Sequence, residues 1–100
     1  MPLPPEDCTT MLEVREGVDA TDRALVELLA RRFGYMRAAA RIKADRDTVR
    51  DEARKAAVIA AVRRDAAERG LPADELASLW ERLVEISIAY ELVQWDSLRA

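Results

Sequence analysis

Residues 11–44 read MLEVREGVDATDRALVELLARRFGYMRAAARIKA, and no proline interrupts them. Apolar side chains recur every three to four residues, which is typical of one face of an α-helix and lies close to a heptad seam. Thr9 or Thr10 can cap the start of this helix, because Glu13 has the spacing of a capping box. We therefore predict a first helix that runs to about Ala44. The positions on its apolar face are Met11, Val14, Val18, Leu25, Leu28, Leu29, Phe33, Met36, Ala39 and Ile42.

Two shorter helices are predicted after a polar loop at residues 45–50. The first runs from about 51 to 69 and ends at Gly70, which suits the residue just past a helix terminus. Leu71 and Pro72 break the chain, and the last helix begins near 73 and runs to about 98. The sequence therefore predicts an all-α fold of three helices with a long first helix.

The length of the first helix favours a homodimer. About 35 helical residues span roughly 50 Å, and two shorter helices cannot cover that length within a compact monomer. We expect two long helices to lie side by side in an intertwined dimer. A three-helix monomer with a broken first helix is the alternative. Residues 1–100 are predicted to form a single domain, with residues 1–8 as an extended, proline-rich arm.

Composition excludes several classes of function. The chain has no histidine and one cysteine, Cys8, so histidine-based catalysis and an internal disulfide are excluded and a zinc site is improbable. A net charge of −3 argues against a nucleic-acid surface. No apolar run approaches the roughly 20 residues that cross a bilayer, and the short acidic start does not suit a signal peptide. We expect a cytoplasmic protein without metal, cofactor, membrane or nucleic-acid partner.

Charged residues on the apolar faces are the candidate functional groups. Arg32 shares a heptad position with Val18 and Leu25, so it faces the core side of the first helix. Lys43 follows eleven residues later at nearly the same azimuth and about 16 Å along the axis. A small ligand fits between two cations at that separation. Arg15 lies about 25 Å before Arg32, so it can join such a site only from an antiparallel partner chain.

Glu91 lies on the apolar face of the third helix, seven residues after Val84. Burial favours the neutral form of a carboxyl group, so Glu91 is a candidate hydrogen-bond donor as a protonated acid. Each charged residue also has an ordinary explanation. Arg15 can be a solvated residue near a helix start, and Arg32 and Glu91 can each belong to a structural ion pair. Lys43 can interact favourably with the dipole at a helix C-terminus. The joint arrangement is much harder to explain in this way.

The ordered set resembles the all-helical chorismate mutases, a family that includes isochorismate pyruvate lyase. Nearly the whole chain takes part in the resemblance. The segments that carry it are Val14-Arg15 with Asp22, Arg31-Arg32, Ala38 to Lys43, Val49-Arg50-Asp51 with Arg54, and Ser87 to Glu91. It implies a homodimer that binds a small dicarboxylate, chorismate or isochorismate, without a cofactor.

The resemblance also implies a role for each matching residue. Lys43 and Glu91 would donate hydrogen bonds to the ether oxygen of the substrate, and Arg32 would bind a carboxylate as the third catalytic residue. Arg15 would reach across the dimer to another carboxylate. The substrate-binding set it implies is Arg15, Arg32, Lys43, Asp51, Arg54, Ser87 and Glu91, in which Arg54 closes over the ligand, Asp51 lies near its hydroxyl and Ser87 supports a carboxylate.

Two positions depart from the family pattern. Glu91 stands where mutases often have Gln, and Lys55 stands where they tend to have a Glu that contacts the substrate hydroxyl. Because only a protonated Glu91 can donate a hydrogen bond, activity should favour lower pH.

The sequence favours chorismate mutase activity, a one-step pericyclic rearrangement of chorismate to prephenate that needs no nucleophile. Ser87 and the 49–54 segment look closer to the mutases. The arm around Cys8 and the run from Arg31 to Ala39 look closer to the lyase, which gives salicylate and pyruvate. An alternative of another class is a non-catalytic helical dimer that acts as a binding module.

Overall fold

A computed structural model describes residues 2–100, so Met1 of the predicted arm lies outside the described residues. The described part contains helices and no strand, which confirms the all-α prediction. The three α-helices are α1 (Met11–Ile42), α2 (Glu52–Glu68) and α3 (Ala73–Leu98), and short 3-10 helices occupy Pro5–Asp7 and Arg46–Thr48. The predicted boundaries are therefore correct to within two residues.

The sequence predicts an extended arm, but the arm is not extended throughout. Pro5–Asp7 forms a 3-10 turn. The backbone N–H of Asp7 donates to the carbonyl oxygen of Pro4 at 3.0 Å, and that of Cys8 donates to Pro5 at 3.2 Å. Proline has a fixed φ that suits the first position of a helical turn. The three prolines therefore favour both an extended start and this turn.

The capping box at the start of α1 is confirmed. The Thr10 hydroxyl accepts a hydrogen bond from the backbone N–H of Glu13 at 3.2 Å. In return, Glu13 Oε1 accepts from the backbone N–H groups of Thr9 and Thr10, both at 3.0 Å. Hydrogen bonds from the Thr9 backbone and the Thr10 side chain hold the pKa of Glu13 below its usual value.

A tight turn reverses the chain between α2 and α3. Gly70 has a φ of 70°, and its N–H donates to Ala67 while the N–H of Leu71 donates to Ala66. These bonds form the Schellman motif, in which glycine accepts the left-handed conformation most easily. Salt bridges link Lys55 near the start of α2 to α3, and Arg63 further along α2 to Asp74. The two helices therefore pack antiparallel.

The contacts between residues define two compact units, residues up to Gly34 and residues 35–100. Helix α1 begins in the first unit and ends in the second. The second unit holds the buried cluster of Val49, Val84 and Ile88, on which Val58, Leu92 and Trp95 pack. In the first unit, no residue of 2–34 is buried. Its arm and the start of α1 line an open groove of about 590 Å³.

No helix within residues 2–100 is long and apolar enough to span a membrane.

Candidate active site

Lys43 and Glu91 form an ion pair in the second unit. Lys43 follows the last residue of α1, and its Nζ donates to Glu91 Oε2 on α3 at 2.8 Å. Glu91 is only 4% exposed, whereas the Lys43 side chain keeps 29% of its surface. A buried carboxylate is tolerated when a cation and hydrogen bonds compensate it. The Lys43 side chain is therefore partly accessible to solvent, whereas its partner is not.

The carbonyl oxygen of Val49 also lies 3.5 Å from Lys43 Nζ. Val49 is itself buried in the cluster with Val84 and Ile88. Packing of the 46–49 turn against α3 thus fixes a second acceptor near the ammonium group. The pair corresponds to the structural ion pair that was the ordinary explanation of Glu91, and the roles of both residues as donors to a substrate stay predictions.

Ser87 lies one turn before Glu91 and is also buried, at 3% exposure. Its hydroxyl donates to the Leu83 carbonyl oxygen at 2.7 Å, a bond within α3. A hydroxyl keeps acceptor capacity when it donates. Among residues 2–100, no buried side-chain nitrogen or oxygen lacks a hydrogen-bond partner.

Asp51 and Arg54 lie at the start of α2. Asp51 is the N-cap residue, and its Oδ1 accepts from the backbone N–H of Arg54 at 3.0 Å. Both residues are exposed. The structure thus gives Asp51 a local role that the sequence analysis did not assign, beside the role near the substrate hydroxyl that the resemblance implies.

Arg50, Lys55 and Glu85 form a network between the start of α2 and the middle of α3. Arg50 Nη2 donates to Glu85 Oε1 at 2.8 Å, and Lys55 Nζ donates to Glu85 Oε2 at 3.0 Å. Lys55 also pairs with Glu81 at 3.4 Å. The Arg50 guanidinium, and then Lys55, lower the pKa of Glu85 to about 2. Lys55, at the position that departs from the family pattern, is thus held by carboxylates of α3.

Arg15 and Arg32 belong to the first unit. Arg15 is exposed on the second turn of α1, and Arg32 is half-buried further along the same helix. Their predicted roles at the substrate carboxylates stay predictions.

The sequence predicts no functional role for Arg99 or Trp95. The Trp95 indole N–H donates to the Lys43 carbonyl oxygen at 3.0 Å, and Arg99 Nη2 donates to the same oxygen at 2.7 Å. These partners are 52 and 56 residues apart in the chain. A local sequence pattern gives no signal for such a contact.

The site combines a cation that is part-exposed with a buried carboxyl group and a buried hydroxyl. Residues 2–100 contain no group of three or more cysteine, aspartate and glutamate side chains that is placed to hold a metal ion. A fixed ammonium group can stabilise negative charge that develops on a substrate oxygen.

Comparison with known proteins identifies the family of the chain. The chorismate mutase type II family matches residues 14–92. The isochorismate pyruvate lyase of Pseudomonas aeruginosa is 35% identical over 95 residues, which cover 95% of this chain and 94% of that protein. The chain therefore belongs to the chorismate mutase type II family.

Proposed function

We propose that this chain cleaves isochorismate into salicylate and pyruvate by a pericyclic reaction. The observation that supports this chemistry is the Lys43 ammonium group, which lies 2.8 Å from the buried Glu91 carboxyl on a side chain that is 29% exposed. The similarity that supports the lyase as the first candidate is the 35% identity to an isochorismate pyruvate lyase over nearly the whole of both chains.

In this reaction, the bond between the ring carbon and the ether oxygen breaks while a ring hydrogen passes to the enolpyruvyl methylene carbon. The ring becomes aromatic and the side chain leaves as pyruvate, so atoms and electrons balance without another reactant. Negative charge gathers on the ether oxygen in the transition state. Lys43 is the donor for that oxygen, and such a preorganised donor contributes about 10²–10³ in rate.

The remaining predicted residues bind the substrate and hold its reactive conformer. Arg32 and the partner's Arg15 neutralise the two carboxylates, since guanidinium groups bind carboxylates in a bidentate manner. Arg54 closes over the ligand, Asp51 lies near its hydroxyl, and Ser87 supports a carboxylate. Holding a flexible diacid in its reactive shape supplies much of the rate enhancement of a one-substrate reaction.

Chorismate mutase activity is the second candidate, and the sequence analysis preferred it. The family match supports it, because that family is described as chorismate mutase type II. Ser87 and the 49–54 segment favoured the mutase in sequence, and the structure gives residues in both places contacts that support the fold. Arg50 pairs with Glu85 and Asp51 caps α2. The Ser87 hydroxyl donates within its own helix. These residues therefore discriminate less between the two reactions than their sequence positions suggested.

The test is to offer chorismate and isochorismate separately to the purified protein and to identify the products by chromatography and mass spectrometry. We expect salicylate and pyruvate in equal amounts from isochorismate, at a higher kcat/KM than prephenate from chorismate. Faster formation of prephenate would reverse the order of the two candidates. Turnover of neither substrate would favour the non-catalytic binding module.

Lys43→Met is the matched variant, because it keeps the length of the side chain and removes the ammonium group. We expect its kcat/KM to fall by about 10²–10³. An active Lys43→Met enzyme would contradict the proposed role of the ammonium group.

A further inference from the structure

The C-terminal end of α1 is capped by a side chain from the far end of α3. The last carbonyl groups of an α-helix have no partner within the helix. Arg99 Nη1 donates to the Ala40 carbonyl oxygen at 3.1 Å, and Arg99 Nη2 donates to the Lys43 carbonyl oxygen at 2.7 Å. The positive charge of Arg99 also suits the negative end of the α1 dipole.

Trp95 adds a second donor at the same place. Its indole N–H reaches the Lys43 carbonyl oxygen at 3.0 Å, and the Arg99 guanidinium lies 4.1 Å from the centre of its ring. The ring therefore supports the guanidinium from one side by a cation–π contact. Trp95 in the last turn of α3 and Arg99, the residue that follows this helix, thus donate to a single oxygen atom of the residue that carries the proposed catalytic ammonium group.

The segment after Lys43 forms hydrogen bonds with the last turn of α3. Arg46 Nε and Nη2 donate to the two carboxylate oxygens of Asp96 at 2.8 and 3.1 Å. These hydrogen bonds lower the pKa of Asp96. Glu91 lies one turn of α3 before Trp95, and it accepts from the Lys43 side chain.

We infer that Arg99 and Trp95 are positioning residues that hold the backbone of Lys43, so that its ammonium group keeps its place against Glu91. The catalytic part of this inference rests on the proposed function, whereas the positional part does not. A bidentate guanidinium cap fixes two carbonyl groups one turn apart. Without it, the α1 terminus frays and the Lys43 side chain samples other directions.

The first measurement is independent of any substrate. Lys43 and Lys55 are the two lysines of the sequence, so competitive labelling with an amine-reactive ester and mass spectrometry gives their reactivity ratio. Lys55 is held by Glu81 and Glu85 and serves as the internal reference. We expect Arg99→Gln to raise the Lys43 to Lys55 ratio several-fold, and the double variant with Trp95→Phe to raise it further.

Global loss of stability would raise the reactivity of both lysines, so the absolute reactivity of Lys55 must stay at its wild-type value for a raised ratio to report on Lys43. Arg69→Gln is the matched control, because Arg69 donates to the Asp65 carbonyl oxygen at the end of α2. It should leave the ratio unchanged. Arg99→Lys should restore part of the wild-type ratio, since one ammonium group can reach one of the two carbonyl groups.

The second measurement is steady-state kinetics with the substrate that the wild type converts. We expect Arg99→Gln to lower kcat about tenfold or more with a smaller change in KM, because the lost positioning affects the transition state more than the bound substrate. An unchanged labelling ratio in both the single and the double variant would overturn the inference. A raised ratio with wild-type kcat would overturn the catalytic part. A raised ratio in a protein whose wild type converts neither substrate would support the positional part and refute the proposed function instead.

Discussion

Glu91 is the partner of Lys43 in the proposed chemistry, although the sequence predicts it as a hydrogen-bond donor in its protonated form. In the structure, its carboxyl accepts from Lys43, and it can donate to an ether oxygen only when it carries a proton. If that donation contributes to catalysis, kcat/KM should fall as the pH rises. Glu91→Gln, which donates through its amide at any pH, should then flatten the profile. The measurement is a pH profile of both enzymes, and identical profiles would show that Glu91 acts only as the partner of Lys43.

Glu85 gives a second prediction at the residue scale, and it concerns stability. Its pKa is lowered from 4.5 to about 2, first by Arg50 and then by Lys55. A carboxyl with a depressed pKa in the folded state contributes stability above its unfolded pKa and loses that contribution as the pH falls toward its folded pKa. We expect Glu85→Gln to lower the melting temperature at pH 7, with the difference from the wild type shrinking below about pH 4.5.

Thermal melts followed by circular dichroism between pH 7 and pH 3 test this prediction. Glu68→Gln, at an exposed carboxyl in the last turn of α2, serves as the control and should show a small difference at every pH. A constant difference between Glu85→Gln and the wild type would mean that the network stabilises the fold by packing and not by charge.

Residue-scale predictions from the sequence succeeded where a pattern was local or periodic. Glu13 and Thr10 lie three residues apart, so their capping box was visible. Glu91 was recognised because it interrupts an apolar face, and its burial is confirmed. The role of Arg99 was not predicted, since an arginine near a helix terminus looks like any solvated residue until its distant partners are known.

At the scale of the element, Asp51 at the start of α2 has two proposed roles, as the cap of the helix and as a contact of the substrate hydroxyl. Asp51 caps this helix through one carboxylate oxygen. Replacement of an N-cap aspartate by alanine costs about 1 kcal/mol in the free energy of unfolding, whereas asparagine is nearly as good a cap. We expect Asp51→Ala to be destabilised by about that amount and Asp51→Asn to be nearly as stable as the wild type.

Denaturant melts measure the stability of both variants, and kcat/KM reports on the substrate. A marked loss of kcat/KM in the stable Asp51→Asn variant would support contact with the substrate hydroxyl. Wild-type kinetics in that variant would limit Asp51 to capping.

Helix positions followed from apolar spacing and from breakers such as Gly70 and Pro72. The end of α1 was placed two residues too late, because the sequence pattern does not reveal that Arg99 takes over the free carbonyl groups of the last turn. The 3-10 turn at Arg46–Thr48 was read as loop. Its Asp45 cap is a short-range bond that competes with continued helix.

At the scale of the whole molecule, residues 2–34 of the first unit have no buried core of their own. No residue of 2–34 is buried, and Leu25 and Leu28 on α1 are 51% and 61% exposed. Apolar surface of this extent marks an interaction face. We therefore retain the proposal of a homodimer in which α1 of a second copy covers this face.

Subunit mixing tests both the dimer and the shared site. Arg15→Ala and Arg32→Ala chains should each be nearly inactive alone. If Arg15 serves the partner's site, a heterodimer of the two contains one intact site, so a random equal mixture should regain about a quarter of wild-type activity. Light scattering should show a dimer for both variants. Absence of any recovery on mixing would place both arginines in the same chain's site, or outside it.

The hydrogen bond between the Trp95 indole and the Lys43 carbonyl oxygen has an optical consequence. Indole emission shifts with the polarity and hydrogen bonding of its surroundings, and the nearby Arg99 guanidinium alters the field across the ring. Trp80 is the other tryptophan of the chain, and Trp80→Phe would leave Trp95 as the single emitter. The wavelength of its emission would then report, in real time and without an added dye, whether the end of α1 is held or has come loose.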